Sequence, residues 1–360
     1  MAAALKDLFD PVRYRKTAAE LAALHPRFDS ARFLAHVLDG LAERELLARL
    51  HRTAEAFHLA LPISLDEQIK VLRAHAPQIG HNFVGIWPSA HVARHGLDQP
   101  ATALKALRFL TRFGSAEFAI RAFIIRDQPG TFAELRKWAE DTDEHVRRLA
   151  SEGSRPRLPW GGNLQSLITD PSPTLPILTA LRADPSLYVR KSVANHLNDI
   201  TKDHPERVLD FVATWDRTKP RTAWIVRHAL RTLIKRGHPR ALSLLGAGNP
   251  PKLDAKFKVS PARLVLGSTL ELTARLTSTQ ARAQSLIVDY VVHYARNSGA
   301  TVGKVFKWKR LTLGAGETVT LSKRQVIRDF STRRHHVGRH LVELQINGRR
   351  LAEGAFFLSA

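Results

Sequence analysis

Three stretches decide the fold: DTDEHVRRLASE (residues 141–152), ADPSLYVRKSVAN (183–195) and TAWIVRHALRT (222–232). Each places an apolar residue before two basic ones, on an amphipathic helix that follows a turn. Aligned on Val146, Val189 and Val226, they lie 43 and 37 residues apart. That spacing suits stacked helical hairpins, in which each pair of helices buries its apolar face against the next. Stacking would line up Arg147 and Arg148, Arg190 and Lys191, and Arg227 and His228 as a basic stripe along one face. Two readings stand side by side for these residues. The first of each pair suits a structural contact with a turn aspartate and the second a phosphate contact.

Outward from these repeats, residues 1 to about 250 read as helix, in short amphipathic runs punctuated by Pro26, Pro62, Pro77, Pro88 and Pro100. The stretch GAGNPPKLD (246–254) breaks every helical pattern. Beyond it the period changes to two, and Asn347-Gly348 between two alternating runs signals a tight hairpin. About seven short strands are expected in the last 105 or so residues. The predicted architecture is mainly α: a HEAT-like helical-repeat solenoid over 1–248, a linker over 249–256, and a small all-β immunoglobulin-like sandwich over 257–360.

Lysine and arginine number 55 against 33 acids, a formal net charge of +22. An excess of this size points to a polyanion, because neutralising phosphates releases condensed counterions. The last 109 residues hold 19 basic and 7 acidic side chains, so the small domain is the more densely basic. Its run SKRQVIRDFSTRRHHVGRH (322–340), with Lys323, Arg324, Arg333 and Arg334, reads as a phosphate-gripping segment or as a solvated hairpin. Charge alone does not separate DNA from RNA, but no RNP or GxxG signature supports RNA.

Several function classes fall away. No cysteine is present, so disulfides and thiolate chemistry are excluded. No Walker A, GxGxxG, HExxH or GxSxG motif occurs. The scattered histidines lack acidic neighbours at ligand spacing, so no metal and no cofactor are expected. No apolar run approaches a membrane span, Asp7 and Asp10 argue against a leader, and the absence of cysteine makes a reducing cytoplasm the expected location.

Two segments could carry chemistry. In ALKALRFLTRFGSAEFAIRAFII (103–125) an apolar seam runs through Leu110, Phe113, Ile120 and Ile124, with Glu117 set into it. A carboxylate there is costly unless it is paired, for instance with Arg121 four residues on, or faces a cleft. In ASEGSRPRLPWGGNLQSL (150–167) a rigid loop ends in Trp160, which suits either the core or a stacking surface.

These residues resemble a family. FGSAEFAIRAF around Glu117, RRLASEGSRPRLPW ending at Trp160, SVANHLNDITKDHP around Asp199 and the opening LKDLFD all look like the AlkC branch of the bacterial DNA alkylation-repair glycosylases. The resemblance covers most of residues 5–245, and the strand-rich tail is like that of the subgroup with an immunoglobulin-like domain. It implies a monofunctional N-glycosylase releasing 3-methylcytosine and 3-methyladenine from duplex DNA, in a likeness that needs no cofactor and no reactive lysine. A monomer associated with the bacterial nucleoid, and an open cleft without deep base flipping, go with it. On that likeness Glu117 is the catalytic carboxylate, Trp160 the stacking wall and Asp199 a second acid. Arg148, Arg155 and Arg157 become the phosphate binders nearest the lesion. The alternative is a non-catalytic helical-repeat scaffold on damaged DNA, since fold alone does not decide function.

Overall fold

The computed structural model describes residues 5–295, 301–330 and 334–359. Helices occupy the first two thirds: α1 (Pro11–Leu24), α2 (Ser30–Leu38), α3 (Leu46–Ala60), α4 (Leu65–Ile79), α5 (Trp87–His95), α6 (Pro100–Leu110), α7 (Ile120–Arg126) and α8 (Gln128–Trp138). They continue as α9 (Glu144–Glu152), α10 (Gln165–Thr169), α11 (Leu175–Ala180), α12 (Leu187–Ile200), α13 (Pro205–Ala213), α14 (Pro220–Ala229), α15 (Arg231–Lys235) and α16 (Pro239–Leu244). Among the described residues no helix is long and apolar enough to cross a membrane. Contacts divide the chain into two units. One runs to His204 and includes Trp215–Ala229; the other holds Pro205–Thr214 and everything from Leu230.

In the first unit the aligned valines Val146, Val189 and Val226 are fully buried. Aspartates set where helices begin. Asp10, Asp29, Asp127 and Asp143 each accept a hydrogen bond from a backbone N–H in the first turn that follows, satisfying a donor the helix cannot. Arginines on the helices tie them to the turns before later helices. Arg147 donates from Nε to Asp184 at 2.7 Å and from Nη2 at 3.1 Å, gripping the aspartate in the turn before α12. Arg108 does the same to Asp141 at 2.7 Å. The Nη1 of Arg147 also caps the carbonyls of Asp141 and Thr142, and Arg190 repeats this on Asp184 and Pro185. Arg190 meets Trp224 instead of an aspartate, with its guanidinium 5.9 Å from the ring centre. Arg147 and Arg190 thus make structural contacts within the helical unit.

The helix expected through residues 103–124 is broken. α6 ends at Leu110, residues 111–119 turn, and α7 starts at Ile120, which puts Glu117 on the turn and not on a helical seam. In that turn the backbone of Gly114 crosses that of Gly85 in contact. A Cβ added at Gly114 would lie 2.0 Å from the Gly85 carbonyl carbon, and one at Gly85 2.3 Å from the Phe113 oxygen. Only glycine at both positions allows this approach. Gly114→Ala is expected to lower stability by about 1–3 kcal/mol, the usual cost of overpacking, measured as a drop in the urea midpoint at constant slope. An unchanged midpoint would show that the crossing is soft.

In the second unit two antiparallel-rich sheets face each other across a shared core. The strands are β1 (Leu253–Ser260), β2 (Arg263–Val265), β3 (Thr269–Ser278), β4 (Gln284–Ala295), β5 (Thr301–Leu313), β6 (Thr318–Val326), β7 (Gly338–Ile346) and β8 (Arg349–Ser359). Their order is β1-β3-β6 in one sheet and β2-β8-β7-β4-β5 in the other. Leu270 and Leu272 from the first sheet pack with Tyr290, Val292, Val342 and Phe356 from the second. Asn347 (φ 48°) and Gly348 (φ 74°) form the left-handed hairpin turn that joins β7 to β8. β1 begins at Leu253, inside the stretch read as linker, because Leu253 to Ser260 pair in register with β3. The helices α15 and α16 belong with the sandwich: Gln345 donates to the Lys235 carbonyl at 3.2 Å, and Gly348 lies against Gly237. The boundary drawn by contacts thus lies upstream of residue 249.

Candidate active site

The break at residues 111–119 brings Glu117 against α9. Its Oε2 accepts from the Ser115 hydroxyl at 2.7 Å and from Arg148 Nη1. No hydrogen bond reaches Oε1 among the described residues. The expected partner Arg121 is not the one found. The Arg121 guanidinium instead donates to the carbonyls of Gly153 (3.1 Å), Arg155 (2.7 Å) and Gly162. Burial first, then the nearby Arg155 charge, holds its pKa down at about 10. Arg121 is thus the pin that ties α7 to both ends of the Trp160 loop.

From Glu117 a buried row of alternating charges runs along the helices. Arg148 lies over the Tyr188 ring at 4.9 Å and reaches Glu152 at 3.4 Å. Glu152 accepts from Arg155 at 2.6 Å, and Arg155 reaches Asp199 at 2.8 Å. Lys202 closes the row on Asp199 at 3.0 Å. Burial alone would push the Glu152 carboxyl up, but the adjoining Arg148 and Arg155 charges hold it below the usual carboxylate range. Burial works against the charge on Arg148 and Arg155 too, but the carboxylates of Glu152 and Glu117 beside Arg148, and of Glu152 and Asp199 beside Arg155, hold both firmly protonated. Arg157 sits outside the row, in a forked pair with Asp203 at 2.9 and 3.0 Å.

A cleft of about 450 Å³ opens over the Glu117 end of this row. Glu117, Arg148, Glu152, Arg155 and Tyr188 line it, with His81, Phe83 and Trp160 among its other walls. Trp160 is 64% exposed, which disposes of the core reading. Its backbone takes φ 64°, a strained setting for a non-glycine residue that the pinned loop maintains. Phe83 meets the indole edge to face, with ring centres 6.1 Å apart. Asp199 is not among the lining residues and sits behind Arg155.

Residues 111–233 match the family of DNA alkylation repair enzymes, and residues 254–360 match the C-terminal Ig-like domain of the uncharacterised protein YhaZ. The uncharacterised protein YhaZ of Bacillus subtilis strain 168 is 38% identical over 346 residues, which is 96% of each chain. A solved structure of the Pseudomonas fluorescens alkylpurine DNA glycosylase AlkC, bound to DNA containing an abasic site analog, is 46% identical. It superposes with a TM-score of 0.96 over 99% of this chain and 100% of that one. The chain belongs to the AlkC-type DNA alkylation repair family. The sandwich is accordingly the family's Ig-like domain.

Of the basic residues singled out in this AlkC-type sequence, Lys191 and Arg227 are exposed on α12 and α14. Arg148 and Arg155 are not free for phosphate, because each is held by carboxylates in the buried row. On the Ig-like domain Lys323 and Arg324 lie on β6, with Arg324 paired to Glu271 at 3.0 Å. Arg334 is exposed, and Arg333 lies outside the described residues. Ser115, Glu152, Tyr188 and Phe83 were not foreseen. Glu152 stands within the SEGSRPRLPW motif itself, and a charge between two arginines was the available signal.

The AlkC-type chain also gathers His58, His91 and His95, with one nitrogen of each inside 4.8 Å of the others. Their geometry suits a polar packing cluster better than a metal site. The Gln68 oxygen already accepts from His91 Nε2 at 2.9 Å, and its amide nitrogen approaches His58 Nδ1 at 3.3 Å. His58 and His95 stack with planes only 10° apart, so no single point lies in both ring planes as common ligation requires. Burial pushes His91 down to about 3 and His95 to about 4 from the ordinary 6.5. Their neutral state therefore supports the fold fully above pH 6.5, and that support is lost as pH falls towards 4 and then 3. Urea unfolding between pH 7.5 and 4.5 should show stability falling with pH, and falling less steeply in His91→Phe. Equal slopes in the two proteins would contradict this.

Proposed function

We propose that this chain is a DNA glycosylase that excises cationic N3-methylated bases, 3-methylcytosine and 3-methyladenine, from alkylated duplex DNA by hydrolysing the N-glycosidic bond. The observation that carries the reading is the division of labour on Glu117. One oxygen is tied to Ser115 and Arg148, while the other accepts no hydrogen bond among the described residues, in a carboxylate that lines a cleft beside an exposed indole.

Alkylation gives the base a positive charge, which weakens its bond to the sugar before the enzyme acts. As that bond lengthens, positive charge moves onto the sugar, and the base leaves neutral. A fixed carboxylate beside C1′ stabilises the developing cation or orients the attacking water. The Trp160 face holds the cationic base or sugar, for roughly 0.5–2 kcal/mol. No lysine is called on, so the reaction stops at an abasic site with no lyase step. The Pseudomonas fluorescens relative, an alkylpurine DNA glycosylase bound to DNA with an abasic site analog, supports the same reading.

We read the stacked helices as HEAT-like repeats that track the duplex as a monomer, in the nucleoid of a bacterial cytoplasm. Lys191 and Arg227 are the phosphate contacts assigned to the helical unit, with Arg157 beside the lesion. Lys323, Arg324, Arg333 and Arg334 serve the Ig-like domain. Asp199 acts by holding Arg155 in the charge row, a supporting role in place of a second acid at the reaction centre.

The test is to incubate the purified protein with methylated duplex DNA in EDTA and to identify the bases set free. Release of 3-methyladenine or 3-methylcytosine is expected. Salt-sensitive duplex binding with no release would establish the scaffold instead.

A further inference from the structure

Ser115 occupies a position in the cleft that the chemistry above does not use. Its hydroxyl lies 2.8 Å from Arg148 Nη1 and 2.7 Å from Glu117 Oε2. A guanidinium has only donors, so Ser115 Oγ accepts from Arg148. Its single hydrogen is then directed at Glu117. Arg148 Nη1 reaches the same Oε2, and the three side chains form a closed triangle. Two of its corners are fixed from outside. Arg148 is held by the Tyr188 ring and by Glu152, and the Ser115 backbone by the Gly85–Gly114 crossing immediately before it.

We propose that Ser115 is a positioning residue that fixes which oxygen of Glu117 meets the substrate; this rests on the reading of the cleft given above. The terminal torsion of a glutamate is broad and nearly two-fold, so the carboxylate by itself exchanges its oxygens freely. An arginine facing a carboxylate prefers the forked pair, with two parallel hydrogen bonds to both oxygens. That pairing would turn both Glu117 oxygens towards Arg148 and away from the cleft. Ser115 opposes it by taking one N–H of Arg148 Nη1 and by donating its own hydrogen to Oε2, holding that oxygen in one place. Oε1 is thereby kept for the sugar cation or its attacking water.

The experiment is single-turnover base release from methylated duplex DNA by wild type, Ser115→Ala, Ser115→Thr, Glu117→Gln and the Ser115→Ala/Glu117→Gln double variant. Thermal melts of each accompany the rates. Ser115→Ala is expected to lose roughly ten- to a hundredfold in rate, the scale of one hydrogen bond to a charged group, with duplex affinity within about twofold. Ser115→Thr, which keeps the hydroxyl, is expected to restore most of the rate. In the Glu117→Gln background the alanine is expected to cost nothing further, because the carboxylate it positions is gone. A wild-type rate in Ser115→Ala beside an inactive Glu117→Gln overturns the positioning role and leaves the cleft reading standing. The same fractional loss in both backgrounds also overturns it, since a residue that only supports the fold behaves that way. Full activity of Glu117→Gln overturns the cleft reading beneath it.

Discussion

Glu117→Gln is expected to slow base release by at least about a hundredfold while leaving affinity for the same duplex nearly unchanged. The size follows from what the carboxylate does: removing one preorganised electrostatic group from a reaction centre typically costs 10²–10³ in rate. Glutamine keeps the shape and can still accept from Ser115 and Arg148, so the turn at 111–119 should hold. What it lacks is the negative charge at the oxygen left over for the cleft. On the proposed reading, ground-state binding comes from phosphate contacts spread over other residues, so the dissociation constant should move little. Rate and affinity therefore separate in this variant. An equal loss of both would mean that Glu117 holds DNA and does not act on the reaction.

The second large effect is on stability. Glu152 is 6% exposed and stands between Arg148 at 3.4 Å and Arg155 at 2.6 Å. Glu152→Leu removes the anion that both guanidinia share, leaving Arg148 with Glu117 alone and Arg155 with Asp199 alone in a largely buried row. Breaking a buried ion pair from one side costs about 3–5 kcal/mol, because the surviving charge keeps its desolvation penalty. For a helical unit of this size that corresponds to a fall in melting temperature of roughly 10 °C. A melt within a degree or two of wild type would mean that water reaches the row and that its charges are not buried in practice. Arg157→Ala is the contrast, since its pair with Asp203 is partly exposed and its loss should leave the melt unchanged.

The helical unit was legible because it rests on local periodicity. Val146, Val189 and Val226 are buried on their helices, and the aspartate-to-arginine spacing sets contacts such as that of Arg147 with the turn before α12. The Asn347-Gly348 hairpin was equally local. Residues that depend on contacts far along the chain were not legible. The crossing of Gly85 and Gly114 joins positions 29 residues apart, in the turn that carries Glu117 where a helix was expected. The true partner of Glu117 is Arg148, 31 residues away, whereas a helical reading offers only Arg121 at four. His58 meets His91 and His95 only through the packing of α3 on α5, so the cluster could not be seen in spacing alone. The three-residue strand β2 is too short to show alternation, and it is fixed instead by parallel pairing with β8.

The most direct measurement uses a duplex oligonucleotide carrying one 3-methylcytosine at a defined position. It is treated with wild type or Glu117→Gln in EDTA, then resolved with and without hot alkali. A metal-independent, monofunctional glycosylase working through Glu117 predicts a strand break at that position for wild type, only after alkali, and almost none for the variant. A break without alkali would contradict the hydrolytic mechanism. An equal alkali-dependent break from Glu117→Gln would contradict the assignment of the carboxylate.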